Sequence, residues 1–210
     1  MSNLDSERIK QVYQKKTDEE ILVVPREKIL SKNDFNGIKP IDLENYAKII
    51  NSSGLFMWRS QAEIDSNFKQ IIPYLVFNYE DKYFLMQRKS TSSEVRLKNK
   101  YSFGIGGHIR KEDILKKSII DWSWREFYEE VEYSGNLKIE PIGLLNDETN
   151  FVGEVHIGFV FLLKGDSDKI KIRSELKSGD LLRLEECKKL YPVMESWSQY
   201  VFNYLSETKR

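Results

Sequence analysis

The stretch that decides the fold is GIGGHIRKEDILKKSIIDWSWREFYEEVEYSG, residues 104–135. Its second half predicts a helix over about residues 114–133, because apolar side chains recur there at helical spacing. At about 100° per residue these side chains form one stripe that faces the core. The members of the stripe are Ile120, Trp124, Phe127 and Val131. A glycine-rich segment, a loop and an amphipathic helix therefore stand at the centre of the chain.

Three glutamates lie beside this apolar stripe. Glu126, Glu129 and Glu130 are spaced i, i+3 and i+4, so their carboxylates project together from one side of the helix. Clustered carboxylates repel one another, and Mg²⁺, which prefers oxygen ligands and is usually shared with substrate phosphates, would offset that repulsion. Taken alone, the three glutamates are explained more simply by a solvated helix face, on which Arg125 and Glu129 form an ordinary ion pair.

Segments rich in β-forming residues flank this region on both sides. Strands are predicted at residues 21–24, 71–78, 82–87, 138–145 and 155–163, and residues 79–81 join two of them as a hairpin. Helices are predicted at residues 43–56, in a short segment ending at Leu190, and in a last segment opened by Pro192. Mixed strands around a few helices favour an α/β or α+β sandwich.

The composition of the chain argues against several classes of protein. The chain has 210 residues, 40% of them apolar and 31% charged, with 33 basic and 33 acidic side chains. Zero net charge argues against a protein that coats nucleic acid, which needs clustered positive charge. The single cysteine, Cys187, excludes an internal disulfide. The longest apolar run, residues 157–163, falls far short of the about 18 residues of a membrane span, so we expect a soluble, cytoplasmic protein.

The combination of hairpin, Gly-Gly loop and glutamate-rich helix resembles the Nudix hydrolase box. That family's pattern is G-x5-E-x7-R-E-U-x-E-E-x-G-U, in which U is a bulky apolar residue. The matching residues are Gly107, Arg125, Glu126, Phe127, Glu129 and Glu130. Residues 23–27, 69–73, 101–108, 143–147 and 152–156 further resemble a bacterial branch of MutT-type phosphoesterases. The resemblance therefore extends over most of the chain.

The loop of the box departs from the family pattern. Eighteen positions separate Gly107 from Arg125, where the pattern has fourteen, so the loop carries four extra residues. Counted forward from Gly107 the loop glutamate falls on Asp113, and counted back from Arg125 it falls on Lys117. Either Glu112 or Asp113 can replace it as the partner of Arg125, and the sequence leaves both open.

The resemblance also implies the architecture. It implies a Nudix-type α/β/α sandwich with a mixed sheet over residues 69–210. Residues 1–68 would form an N-terminal extension, a strand and a helix packed on this core. A second departure concerns the end of the box helix: Glu132 stands where the family has a glycine, and Gly135 follows three residues later. We therefore expect the helix to run on.

Roles for the box residues follow from the resemblance. Glu126, Glu129 and Glu130, with the Gly106 carbonyl, would bind Mg²⁺ or Mn²⁺. Glu126 would alternatively orient and deprotonate water, and Arg125 would position the glutamates. The implied reaction is hydrolysis of a nucleoside diphosphate linked to another moiety, in which metal ions neutralise charge and activate water.

Further residues are candidates for contacting the substrate or for acting as a fourth acidic ligand of the metal ion. They are Gly107, His108, Arg88, Glu148 and Glu154. Each has a plainer explanation as well, since histidines are often hydrogen-bonded parts of the structure and acidic residues are common in loops. The expected partner is a small nucleotide or diphosphate, without a membrane or a long nucleic acid, and a homodimer is a further expectation.

Two other functions remain open on the same fold. One is a catalytically weak or inactive nucleotide-binding or sensing module, because a fold does not determine a function. The other is an enzyme similar to isopentenyl-diphosphate isomerase. That chemistry needs a cysteine beside the metal site, and Cys187 lies far from the box in sequence.

Overall fold

The computed structural model describes residues 18–30, 34–88, 99–115, 118–173 and 176–208. Its strands are β1 (Glu20–Pro25), β2 (Gly37–Lys39), β3 (Leu55–Trp58), β4 (Phe68–Tyr79), β5 (Lys82–Arg88), β6 (Tyr101–Ser102), β7 (Gly104–Ile105), β8 (Val131–Glu132), β9 (Leu137–Asn146), β10 (His156–Gly165), β11 (Lys171–Ile172) and β12 (Leu176–Arg183). Its helices are α1 (Arg26–Ile29), α2 (Leu43–Ser53), α3 (Arg59–Ala62), α4 (Ile119–Glu130), α5 (Phe151–Val155), α6 (Leu184–Leu190) and α7 (Ser196–Thr208), and 3-10 turns span Lys111–Leu115 and Tyr191–Val193. The five predicted strands are confirmed as β1, β4, β5, β9 and β10.

The main sheet is mixed, as expected. Its strands run in the order β12-β5-β4-β10-β9-β2, and β4 and β10 pair in parallel while the other neighbours are antiparallel. The long strand β4 is its centre, because β10 pairs along one side of it and β1, β7 and β5 pair in turn along the other. The predicted hairpin joins β4 to β5.

Helices cover both faces of this sheet. Side chains along a strand alternate between the two faces. Leu75 and Phe77 of β4 belong to the same buried cluster as Phe127 of α4. Tyr74 and Val76 belong to a second cluster that contains Val201 of α7. These two cores, one on each side of the sheet, make the α/β/α sandwich that the resemblance implied.

Helix α4 is shorter than predicted at both ends. It begins at Ile119, where the Ser118 side chain accepts a hydrogen bond from the Asp121 amide, and a separate 3-10 turn occupies the preceding residues 111–115. It ends at Glu130, so the expectation that it runs on was wrong. Val131 is extended instead and pairs with Ile172 in the small sheet formed by β8 and β11. A buried β-branched residue is well suited to this extended conformation.

Two other helix boundaries also differ from the predicted ones. The helix predicted at residues 43–56 ends at Ser53, because the chain continues after Gly54 as strand β3, paired with β1. Pro192 does not open the last helix: it lies inside the 3-10 turn Tyr191–Val193, Met194 is extended, and α7 begins only at Ser196.

The segment before residue 69 contributes strands to the main sheet. β1 pairs with the first residues of β4, and β2 pairs with the end of β9. Strands on both sides of residue 68 therefore share one sheet, and the division of the chain into an extension and a core stays a prediction. None of the helices within the described ranges is long and apolar enough to cross a membrane.

Candidate active site

The glycine pair allows the loop after β7 to lie against two other parts of the structure. A Cβ atom on Gly106 would overlap the Pro73 carbonyl of β4. A Cβ atom on Gly107 would overlap the carboxyl group of Glu126. Glycine is therefore needed at Gly106, where a side chain would meet the backbone, whereas a side chain at Gly107 would displace the Glu126 carboxyl group; the loop lies directly against the carboxylate side of α4.

Arg125 is held by a carboxylate from the 3-10 turn. Its Nε and Nη2 atoms donate to the two carboxylate oxygens of Asp113, each at 2.9 Å, whereas Glu112 is exposed. The loop partner that the sequence left open is therefore Asp113. Burial by itself would raise the pKa of Asp113, but hydrogen bonds from Arg125 and from the Arg110 amide outweigh it and lower the pKa below its ordinary value.

The same guanidinium gathers two of the three helix glutamates. Arg125 Nη1 donates to Glu126 Oε1 at 2.6 Å and to Glu129 Oε2 at 3.2 Å. Burial opposes its charge, yet Asp113 and Glu126 raise the Arg125 pKa above its ordinary value. The side chain of Glu129 is 55% exposed, and Glu130 on the same helix is only 7% exposed. Several carboxylates thus surround one guanidinium, and the cluster keeps an excess of negative charge.

An open cavity adjoins this cluster between α4 and the 3-10 turn at residues 111–115. Its lining residues are Glu112, Asp113, Asp121, Trp122, Trp124, Arg125 and Tyr128. The rings of Trp124 and Tyr128 lie 5.9 Å apart at 31° to one another, and Tyr128 is exposed. The cavity therefore combines aromatic surface with an acidic rim.

The structure brings together the two histidines of the chain. His108 follows the glycine pair, His156 begins β10, and their Nε2 atoms are 3.1 Å apart. Gln70 of β4 is fully buried and its Oε1 lies 2.6 Å from His108 Nε2. The His108 carbonyl accepts a hydrogen bond from Arg125 at 3.2 Å, so this histidine pair adjoins the carboxylate cluster.

Of the acidic candidates outside the box, Glu148 belongs to a buried network of ion pairs. Its two oxygens lie 2.7 Å from Lys69 Nζ and 2.7 Å from Arg26 Nη2. Burial lowers the pKa of Lys69, and these cations lower the pKa of Glu148 although burial alone would raise it. Glu154 lies on α5, where its backbone carbonyl accepts from Arg26.

Three residues near the site had no predicted role: Lys69, Gln70 and Glu63. A signal existed for the first two, because a lysine and a glutamine interrupt an otherwise apolar strand. No local pattern distinguishes Glu63 from other surface glutamates.

The remaining candidates are placed as follows. Arg88 is the last residue of β5, and its side chain lies outside the described part of the structure. Cys187 is fully buried in the core on the α7 side of the sheet, and burial raises the pKa of its thiol to about 12. This placement removes the cysteine that an isomerase of the isopentenyl-diphosphate type would need at the site.

The chain was compared with known proteins. No family model matches it. Protein YmaB of Bacillus subtilis is 35% identical over 209 residues, which cover 90% of this chain and 98% of YmaB. The crystal structure of Tm1382, a candidate Nudix hydrolase, is 34% identical with a TM-score of 0.76, over 89% of this chain and 98% of Tm1382.

A more distant structure shows the same fold. The Nudix domain of Shewanella oneidensis NrtR, solved with ADP ribose, is 13% identical with a TM-score of 0.53, over 68% of this chain and 89% of that domain. The box motif, the α/β/α sandwich and the relatives with more than 30% identity agree. The chain therefore belongs to the Nudix hydrolase family and is a phosphohydrolase of that family.

Proposed function

We propose that this protein hydrolyses a nucleoside diphosphate linked to another moiety in a reaction that depends on Mg²⁺ or Mn²⁺. The observation that carries the proposal is the arrangement around Arg125, where one nitrogen contacts both Glu126 and Glu129 while Asp113 binds the other side of the guanidinium. Positioned carboxylates in excess over their cationic partner favour a hard divalent cation.

The residues present fit such an ion. Glu126 and Glu129 offer carboxylate oxygens on one side of α4, and the missing Cβ atom of Gly107 lets the loop backbone lie against the Glu126 carboxyl group. Glu126, Glu129 and Glu130 would hold the ion, with the Gly106 carbonyl as a further ligand. When bound, the ion would neutralise charge on the diphosphate and lower the pKa of water.

The side chains of the site would divide the remaining work. As the alternative to binding the ion, Glu126 would orient the attacking water and accept its proton, because a carboxylate beside the ion is suited to general-base catalysis. Arg125 would act as a positioning residue, since its contacts fix two carboxylates on one helix face. Asp113 would in turn fix Arg125 through its paired hydrogen bonds.

The cavity beside the cluster supports the nucleotide part of this proposal. Trp124 and Tyr128 offer aromatic surface on which a base can stack. The acidic rim of the cavity disfavours phosphate there, so the phosphates would lie toward the ion and the base toward the rings. ADP ribose in the NrtR domain is a compound of the same class, a nucleoside diphosphate linked to a sugar.

The decisive experiment is a diphosphate-cleavage screen with Mg²⁺ and Mn²⁺, in which the phosphomonoester or nucleotide products are separated by anion-exchange chromatography. The substrates would be nucleoside triphosphates, dinucleoside polyphosphates, nucleotide sugars, NADH, coenzyme A and prenyl diphosphates. Glu130→Gln should lower turnover by at least about 100-fold, while far-UV circular dichroism shows that the variant is folded. Glu132→Gln, an exposed glutamate two residues further on, is the matched control and should keep full turnover.

Two outcomes would contradict the proposal. Equal turnover in Glu130→Gln and the wild-type protein would separate the reaction from the helix glutamates. Failure to turn over any compound, with a nucleotide still raising the melting midpoint, would instead support the nucleotide-binding or sensing module.

A further inference from the structure

The three side chains Glu63, His108 and His156 converge at one point beside the carboxylate cluster. One potential ligand atom from each lies within 4.8 Å of the other two. The residues come from three separate parts of the fold: the end of α3, the loop after β7 and the start of β10. The chain contains only two histidines, and both are at this point.

The hydrogen bonds of His156 prepare it for this role. Its Nδ1 atom lies 2.7 Å from the Val152 carbonyl, which can only accept, so Nδ1 carries the proton. In the neutral ring the Nε2 lone pair then points toward His108. Histidines that bind metal ions commonly donate their second ring nitrogen to a carbonyl in this way, which fixes both tautomer and orientation.

Gln70 supplies a second observation. Its side chain is fully buried, and its Oε1 accepts the His108 Nε2 proton at 2.6 Å. Its amide nitrogen has no hydrogen-bond partner among the described residues. A buried donor beside the histidine pair is suited to an oxygen atom held at this point, such as water on an ion.

The spacing of the two imidazoles fits a metal ion. Two nitrogens that each lie about 2.1 Å from one ion are about 3.0 Å apart when the nitrogen–ion–nitrogen angle is a right angle. They are about 3.4 Å apart when that angle is tetrahedral. The observed separation of His108 Nε2 and His156 Nε2 is 3.1 Å. The His108 proton would move from Nε2 to Nδ1 as the ion binds. Glu63, oriented by Arg59 Nε at 3.4 Å, would complete the set with a small rotation of its carboxylate.

We propose that Glu63, His108 and His156 form a binding site for a transition-metal dication of the Zn²⁺ class. Imidazole nitrogens select such ions, whereas Mg²⁺ prefers the all-oxygen set on α4. With three protein ligands the ion keeps open positions, as in sites where zinc holds water or substrate. The site adjoins the carboxylate cluster through Gly107 and the Arg125 contact to the His108 carbonyl, and it is a separate set of ligands.

The test is titration of tag-free protein with Zn²⁺ by isothermal calorimetry in a buffer with saturating Mg²⁺, so that the carboxylate cluster is already occupied. We expect one equivalent to bind, and His108→Asn and His156→Gln each to weaken the affinity by at least about 100-fold. Glu63→Gln should weaken it less. Glu129→Gln, which alters the carboxylate cluster alone, should leave the Zn²⁺ affinity unchanged.

A second measurement on the unaltered protein covers the case in which a histidine variant fails to fold. With only two histidines, ¹⁵N spectra of the imidazoles contain two ring systems, and Zn²⁺ should shift both Nε2 resonances. Rings that stay unshifted at saturating Zn²⁺ would overturn the proposal. So would an affinity that falls in Glu129→Gln and not in the histidine variants. Loss of Mg²⁺-dependent turnover in Glu130→Gln is a separate result and would affect only the hydrolase proposal.

Discussion

Replacing Lys69 by methionine should destabilise the protein strongly, although the residue lies outside the Nudix box. Its side chain is fully buried in β4, and its ammonium group donates to Glu148 Oε1 at 2.7 Å and to the Gly153 carbonyl at 2.8 Å. It also lies 3.4 Å from the carbonyl of His156, the first residue of β10. The substitution therefore removes three contacts at once and leaves a similar volume filled.

The size of the effect follows from these contacts. The lost charge-assisted hydrogen bond to Glu148 is worth about 1.5–3 kcal/mol, and a carbonyl left without its donor in a buried place costs about 1–3 kcal/mol. Breaking a buried ion pair costs about 3–5 kcal/mol of the free energy of unfolding. The loss here should lie at the lower end of that range, because Glu148 keeps Arg26 and Asn146 as partners. Methionine adds little cavity cost. We expect a loss of about 3 kcal/mol in the free energy of unfolding.

Thermal and urea unfolding would measure this loss. For a chain of this size about 3 kcal/mol corresponds to a fall of about 6–12 °C in the melting midpoint. The matched control is Lys111→Met, which removes an exposed lysine paired with Glu20 at 3.0 Å and should leave the midpoint unchanged.

Acid provides a further check on the same ion pair. The pKa of Glu148 lies below its ordinary value of 4.5. Its folded state therefore binds fewer protons, and the stabilisation is complete above the unfolded pKa and is lost as the pH falls through the folded one. The difference between wild type and Lys69→Met should shrink in this acid range. A Lys69→Met midpoint within about 2 °C of wild type at neutral pH would refute the reasoning.

Three further predictions concern the site and the core. Gly107→Ala should lower turnover about 100-fold, because the new methyl group displaces the Glu126 carboxylate. Circular dichroism would show that the variant is folded, and an unchanged kcat would contradict the close approach of Gly107 to Glu126. Asp113→Asn should reduce the free energy of unfolding by about 1–3 kcal/mol, because it removes the charge that binds the box arginine, while Glu112→Gln should not change the melting midpoint. The Cys187 thiol, whose pKa burial raises to about 12, should resist a disulfide reagent at about pH 8 until guanidinium chloride unfolds the protein; rapid labelling of the folded chain would disprove this burial.

Five of the strands and the existence of the box helix could be predicted because their signals are local, whereas shorter strands such as β2 and β3 were not predicted. An apolar segment bounded by turn residues predicts a buried strand, as at β4 and β10, and a short polar turn between two such segments predicts a hairpin. The end of the helix could not be predicted in this way. Val131 is extended because it pairs with Ile172, a residue far along the chain, and no residue near Val131 in the sequence indicates that pairing.

The acidic partner of Arg125 could not be predicted from the sequence for a different reason. Glu112 and Asp113 are adjacent acidic residues, and the residue count points to Asp113 from one end of the enlarged loop and to Lys117 from the other. The choice depends on the 3-10 turn, in which the Arg110 amide donates to Asp113 at 2.8 Å and directs that carboxylate toward the guanidinium. Four inserted residues change the local geometry, and spacing alone carries no information about such a turn.

The histidine pair shows how the sheet register creates a site that no motif reveals. In the parallel pairing of β4 and β10, His156 stands beside Gln70 and Ile157 stands beside Ile71. A slip of one residue would move every side chain of β10 to the other face, so the buried apolar pairs further along the strands fix the register. The same register that buries Ile157 therefore brings His156 to Gln70 and, through it, to His108. Because strand order and register arise from contacts across the whole sheet, the position of the proposed Zn²⁺ site is determined by the hydrophobic core.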